Sequence, residues 1–194
     1  MKKNLHTSFV AIFALLWLAA CSTSPPVPAD RFYRLPEPQV NAEGSAPTTK
    51  IRVGSFLAQG VYNERAILYI DEQYPLMVRR YHYHFWINSP ADLVRDQLIA
   101  YLRKTETEKK ITPEIEISGR VLRFERIISP QQIKVIAELE VTTRATTPGA
   151  KDVTRVYRAE VPATSDKMND TAVAFGKALD EIFGKVVSDT GRKG

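Results

Sequence analysis

The sequence predicts an α+β fold: a two-layer sandwich in which a mainly antiparallel or mixed β-sheet carries two helices on one face. Several segments rich in β-branched and aromatic residues alternate with a period of two, which is typical of half-buried strands. Two other segments, 90–104 and 168–187, repeat apolar residues at spacings of three and four. Each of these helices has one polar face, and its opposite, apolar face must pack against a sheet. Residues 31–188 suffice for one domain.

The first twenty residues have the features of a bacterial export signal. Two lysines precede an apolar run from Phe9 to Ala20, which is shorter than the roughly 20 residues of a membrane-spanning helix. The following sequence, Leu18-Ala19-Ala20-Cys21, resembles the lipobox of bacterial lipoproteins. That resemblance implies cleavage after residue 20 and a covalent lipid on Cys21, an S-linked diacylglycerol with an N-linked acyl chain. The alternative is a secreted protein whose cysteine lies at the cleavage site by coincidence.

Composition agrees with a tethered domain of the cell envelope. Cys21 is the single cysteine, so its lipidation leaves no thiol for a disulfide or a metal. Removing the two leader lysines lowers the count of Lys and Arg from 27 to 25, against 22 acidic residues, for a net charge of +3. Nucleic-acid binding usually needs a far more basic, clustered surface, so no such partner is expected.

The N-terminal part of the mature chain predicts a tether followed by two strands. Residues 21–30 contain three prolines and no apolar period, which indicates a lipidated, semi-rigid spacer. Its nine residues after the cysteine give a reach of about 27 Å. Residues 32–35 and 51–56 then predict the first two strands.

The region from residue 66 to residue 104 predicts two adjacent strands and a helix. The strands are 66–70 and 76–87. Strict alternation in the second places Tyr81, Tyr83 and Phe85 on one face, which we expect to pack against the core. The opposite face is then outward and carries Arg80, His82, His84 and Trp86. Ser89-Pro90 supplies a helix N-cap and a proline at the first helical position, so a helix is expected over 90–104.

The C-terminal half predicts three further strands, a helix and a tail. The first strand begins near Glu114, and its pattern slips near Val121-Leu122, which indicates a bulge or strong twist around Gly119. Residues 133–141 and 153–161 alternate cleanly and are separated by a turn at Pro148-Gly149. A helix over 168–187 follows, and 189–194 are expected to form a flexible tail.

Three blocks of the chain resemble the ABC-type transport auxiliary lipoprotein family, the PqiC-like proteins. They are Phe32-Tyr33-Arg34-Leu35-Pro36, Arg65-Ala66-Ile67-Leu68-Tyr69, and Tyr81-His82-Tyr83-His84-Phe85-Trp86-Ile87-Asn88-Ser89-Pro90-Ala91-Asp92-Leu93-Val94. Each block is short, so the resemblance depends on their combination with the lipobox and the tether. It implies an α+β fold and an auxiliary role beside an MCE-domain periplasmic protein and an ABC permease and ATPase that transport lipid. It implies no catalytic residues.

A search for catalytic and metal sites favours a protein that is not an enzyme. The sequence has no phosphate-binding glycine loop and no nucleophile elbow. His82-x-His84 lies on one face of a strand, but surface histidines explain it better than a metal site. The pairs Glu106 with Glu108 and Glu114 with Glu116 indicate solvated carboxylates rather than an acid/base pair. No cofactor is expected beyond the covalent lipid.

The predicted outward face of residues 79–86 is the candidate partner surface. It combines Arg80, His82, His84 and Trp86 with the adjacent Arg79, and Arg and Trp are enriched at interface hot spots. Packing within the sheet is the competing interpretation of its aromatic residues. Ser22 follows the lipidated cysteine, and in the enterobacterial sorting rule an aspartate there retains a lipoprotein in the inner membrane. The expected location is therefore the periplasmic face of the outer membrane, with the inner membrane as the alternative.

The leading functional hypothesis is a membrane-anchored auxiliary protein that binds the MCE-type component of a lipid transporter. A direct lipid carrier is a rival hypothesis, and it requires an apolar cavity between sheet and helices. A second rival is an assembly factor for an outer-membrane machine. The lipid species, the direction of transport and the oligomeric state, including a homo-oligomer, stay open at this level.

Overall fold

The computed structural model describes residues 26–40, 49–105, 111–147 and 149–191. The predicted signal peptide, Cys21, Glu106 and Glu108 lie outside these ranges. The described residues form seven strands, two α-helices and a short 3-10 helix at Gly60–Asn63. The strands are β1 Arg31–Tyr33, β2 Thr49–Ala58, β3 Ala66–Asp71, β4 Val78–Trp86, β5 Ile111–Ile128, β6 Ile133–Ala145 and β7 Val153–Pro162, and the helices are α1 Pro90–Thr105 and α2 Met168–Gly191.

One mixed sheet contains all seven strands. The order is β1-β4-β3-β5-β6-β7, and β2 pairs with the first part of β5 while β3 pairs with its end. Strands β2 and β3 are parallel to β5, whereas β4 is antiparallel to β3 and β6 is antiparallel to both β5 and β7. The predicted α+β fold with a mixed sheet and two helices is therefore confirmed.

The helices pack on one face of the sheet and bury the apolar stripes that predicted them. Leu98 of α1 and Leu179 of α2 are fully buried in the same cluster as Leu139 of β6. The predicted N-cap is also present, because the Ser89 hydroxyl accepts a hydrogen bond from the backbone N–H of Asp92 at 3.3 Å. Helix α2 continues to Gly191, beyond the predicted domain end at residue 188.

The slip in the β5 pattern is a β-bulge. Val121 pairs with Leu139 and Arg123 pairs with Glu138, so Leu122 is an extra residue in β5. The predicted irregularity is thus confirmed, but its centre is Leu122 rather than Gly119. Gly119 is needed for close packing instead, since a Cβ there would lie 2.4 Å from the Glu140 carbonyl oxygen.

The segment after β1 leaves the sheet and crosses the helices. For that reason β1 ends at Tyr33, not at Leu35 as predicted. The Pro36 carbonyl accepts a hydrogen bond from Gln97 Nε2 of α1 at 2.9 Å. The Pro36 ring rests on Gly176 of α2, where a Cβ would lie 2.5 Å from Pro36 Cγ. The N-terminal segment therefore binds both helices.

Candidate functional site

A β-bulge of three extra residues interrupts β4 at the centre of the predicted partner surface. Ala66 of β3 pairs with Phe85, and Leu68 pairs with Arg80, so two steps along β3 correspond to five steps along β4. The three extra residues are an odd number, and an odd insertion reverses which face each later side chain occupies. The strict alternation predicted for β4 therefore fails between Tyr81 and Phe85.

Trp86 consequently lies in the core, and the prediction that it faces outward is wrong. Its side chain is 1% exposed. Its ring centroid lies 5.3 Å from that of Phe175 on α2 and 5.5 Å from that of Phe124 on β5. Because α2 covers this face, Trp86 packs between the sheet and the helices and cannot contact a partner.

His84 also turns toward the inner face and is only partly exposed, contrary to its predicted outward position. Its Nδ1 lies 2.8 Å from the Tyr33 hydroxyl, and its ring meets the edge of Tyr81. Burial lowers the pKa of His84, and the nearby Arg31 and Arg126 lower it further. His84 therefore links β1 to β4.

Arg80 and His82 do lie together, on the face of the sheet opposite the helices. They line a shallow cavity of about 350 Å³ whose other walls are Glu64, Arg65, Ala66, Tyr81 and Phe85. Arg80 Nη1 forms an ion pair with Glu64 at 3.0 Å, and both side chains stay exposed. The cavity thus presents a cation, an imidazole and a carboxylate to the surroundings.

An aromatic and arginine cluster borders this cavity, and the sequence patterns did not reveal it. Phe32 of β1 contacts the ring of Phe85 at 5.7 Å, and the Arg65 guanidinium lies 5.6 Å from the Phe32 ring centre. Phe32 is 54% exposed. Only the parallel pairing of β1 with β4 brings these residues together. We call Phe32, Arg65, Arg80, His82 and Phe85 the β4 surface.

Arg79 lies away from the β4 surface. It pairs with Tyr69 at the start of β4, and its guanidinium covers the Tyr74 ring at 5.3 Å. Along the edge of β4, β1 pairs only with His84, Phe85 and Trp86. Within the described ranges no strand pairs with the same edge between Val78 and Tyr83, so its backbone groups are available to a partner.

A buried polar cluster lies under the 3-10 helix. Glu125 is fully buried, yet it receives a hydrogen bond from the Tyr62 hydroxyl at 2.6 Å and pairs with Arg123. Burial, and then the hydrogen bond to Glu125, raise the pKa of Tyr62. These contacts satisfy the carboxylate, so the cluster fixes the 3-10 helix to β5.

The acidic pair Glu114 and Glu116 is structural. Arg52 of β2 bridges Glu114 and Glu116 on the neighbouring strand, which explains the acidic pair as part of an ion-pair ladder. Among the described residues, no three His, Cys, Asp or Glu side chains converge as metal ligands would. In the same ranges, neither helix has the combined length and apolar character needed to cross a bilayer.

Comparison with known proteins identifies the fold but not the family. No family model and no curated protein sequence matches this chain. The crystal structure of protein XCC0632 from Xanthomonas campestris, of family DUF330, superposes with a TM-score of 0.68 over 84% of this chain and 98% of that one, at 17% identity. An uncharacterized protein superposes with a TM-score of 0.61 over 86% and 99%, at 12% identity. At these identities the likeness shows a shared fold.

Proposed function

We propose that this protein is a lipid-anchored, non-enzymatic auxiliary component of an MCE-type ABC transport system for lipid. The observation that carries the proposal is the block from Tyr81 to Val94, which resembles the ABC-type transport auxiliary lipoproteins. In the fold this block is continuous, forming the β4 bulge, the end of the strand and the first turn of α1. The fold shared with the DUF330 protein supports the same assignment.

In this proposal the domain works at a membrane surface. The lipobox at Cys21 supplies the anchor, and two or more acyl chains hold a protein stably because each buried CH₂ contributes about 0.8 kcal/mol. Ser22 favours the outer membrane, with the domain on its periplasmic side. Cys21→Ala should leave the circular dichroism spectrum unchanged but release the protein from membranes in fractionation. A variant that still sediments after a high-salt wash would contradict the lipid anchor.

The β4 surface is the proposed docking site for the MCE-domain protein. It places two arginines and two aromatic rings beside an unpaired strand edge, a combination typical of interface hot spots. Glu64, Glu116 and Glu125 are engaged in ion pairs and His84 in a hydrogen bond with Tyr33, which supports a role in binding over a role in catalysis for these groups.

A direct lipid carrier would need an apolar cavity between sheet and helices. Around Trp86 that space is filled, since Phe124 and Phe175 stack at 4.1 Å and Trp86 contacts both rings. The packing therefore favours the auxiliary role over the carrier role.

Affinity capture from detergent-solubilised cells tests the docking site. The tagged wild-type protein should retain an MCE-domain protein, and Arg80→Ala should weaken that capture roughly tenfold, the effect of a hot-spot loss of about 1.4 kcal/mol. Arg144→Ala is the matched control, because Arg144 is 64% exposed and paired with Asp152, as Arg80 is 62% exposed and paired with Glu64. Equal losses from both variants, or an eluate without the MCE-domain protein, would contradict the proposal.

A further inference from the structure

The hairpin between β3 and β4 ends in a cluster of uncovered apolar side chains. Leu76 is 98% exposed, Tyr74 51%, Met77 48% and Val78 39%. Single exposed apolar residues are ordinary on a protein surface, but four of them within five consecutive positions concentrate apolar surface at one turn. We call residues 74–78 the hairpin tip.

The hairpin tip is an ordered turn. The backbone N–H of Tyr74 donates to the Asp71 carbonyl at 2.8 Å, and that of Met77 donates to the Tyr74 carbonyl at 2.9 Å. Arg79 closes the turn by covering the Tyr74 ring. Because the turn is fixed by its own contacts, the exposure of Leu76 is a property of the fold.

The chemistry of the hairpin tip fits the interface between lipid head groups and acyl chains. Tyrosine concentrates at that depth because its ring is apolar and its hydroxyl is polar. Leu76 and Met77 supply apolar area that gains free energy on leaving water. Arg79 follows directly, and its long side chain can keep contact with phosphates while the tip goes deeper.

The direction of the tether brings the lipid anchor to this same end of the sheet. Strand β1 is parallel to β4 and begins with Arg31 opposite His84. The chain before Arg31 therefore enters the sheet from the side on which β4 starts, which is the side of the hairpin tip. The nine residues between Cys21 and Arg31 reach about 27 Å when extended. Because of the bulge, β4 from Phe85 back to Val78 covers only the four steps of β3 from Ala66 to Ile70, about 13 Å, so the anchor can lie level with the tip.

We propose that the hairpin tip inserts into the head-group region of the bilayer that holds the lipid on Cys21, so that the domain contacts the membrane at two points. The proposal rests on the lipid anchor of the proposed function and is independent of the transport partner. Two points of contact restrict the tilt of the domain. Since β4 runs away from the tip, the β4 surface then faces sideways above the membrane, where an approaching protein can reach it.

Site-specific fluorescence on the lipidated full-length mature protein tests the proposal. Acylation of Cys21 leaves Leu76→Cys as the single free thiol for an environment-sensitive dye such as NBD. The labelled protein is reconstituted into vesicles of phosphatidylethanolamine and phosphatidylglycerol. We expect blue-shifted emission and several-fold quenching by lipids with a nitroxide near the head group. Ala150→Cys is the control, because Ala150 is exposed in the β6–β7 turn at the opposite end of the sheet, and its dye should keep the emission of a water-exposed probe.

Three results would overturn the proposal. Sedimentation with vesicles but equal, water-like emission at positions 76 and 150 would show that the anchor holds while the tip stays in solution. A dye at position 76 that becomes buried only when a partner protein is added would show that the tip docks on protein. Failure to sediment would refute the lipid anchor and the proposed contact with it.

Discussion

Replacing Trp86 by alanine tests whether the β4 bulge turns this residue into the core. The side chain is 1% exposed and contacts Phe124 and Phe175. A buried tryptophan removes roughly 250 Å² from water, which at about 25 cal/mol per Å² sets an upper bound near 6 kcal/mol. Measured truncations of buried aromatic side chains cost about 3–5 kcal/mol, so we expect a loss in that range.

Thermal and urea unfolding followed by circular dichroism measure this loss. In a domain of this size each kcal/mol shifts Tm by about 2–4 °C, so Trp86→Ala should lower Tm by roughly 6–20 °C. Tyr83→Ala, in the bulge at 36% exposure, should cost less than about 1 kcal/mol. Without residues 1–20, Trp86 is the single tryptophan of the chain, so its emission should be blue-shifted and resist quenching by iodide. Iodide-sensitive emission with unchanged stability of Trp86→Ala would refute the reasoning.

Three further substitutions test other parts of the fold by urea unfolding. Burial raises the pKa of Asp180 to about 6 from its ordinary value of 3.8. The free energy of unfolding therefore falls as the pH rises from about 4 to 6. At neutral pH, Asp180→Asn should stabilise the protein by about 1–2 kcal/mol after allowing for partial solvent screening, whereas below about pH 4 it should have little effect. An equal gain at both pH values would contradict that cause. Tyr62→Phe leaves Glu125 Oε2 without the hydroxyl donor at 2.6 Å and should lower the free energy of unfolding by about 1–3 kcal/mol. An unchanged free energy of unfolding would mean that water replaces the hydroxyl. Gly119→Ala places a Cβ 2.4 Å from the Glu140 carbonyl oxygen and should lower the free energy of unfolding by about 1–3 kcal/mol or more. An unchanged free energy of unfolding would mean that β5 and β6 separate freely.

The fold was predictable from the sequence wherever one face of an element is buried and the other is exposed to solvent. Strand β6 is the clearest case, because Val135, Ala137, Leu139 and Val141 are all nearly inaccessible while Glu138 and Glu140 between them are partly exposed. Ile136 departs from the rule, because it is 3% exposed and packs with Ile70 and Ile127 in a second, smaller cluster. Both helices follow the same rule with their own period. The ends of the elements were less predictable, since β5 and α2 continue for several residues beyond their apolar patterns.

The candidate site was only partly predictable because its geometry depends on pairing between distant segments. The bulge in β4 arises from its register with β3, and nothing in the local alternation of Arg80, His82 and His84 signals three extra residues. Arg80 and His82 were placed on a common surface, whereas Trp86 was not recognised as core. Phe32 and Arg65 could not have been assigned to the site, since β1 reaches β4 across about fifty residues of chain.

Site-specific photocrosslinking in living cells tests the central claim most directly. A photoreactive amino acid replaces His82 in the β4 surface or, as a control, Ala150 in the β6–β7 turn at the far end of the sheet. The proposed function predicts a crosslink from position 82 to an MCE-domain protein, identified by mass spectrometry, and none to that protein from position 150. A crosslink to the MCE-domain protein from position 150 but not from position 82, or from neither position, would contradict it.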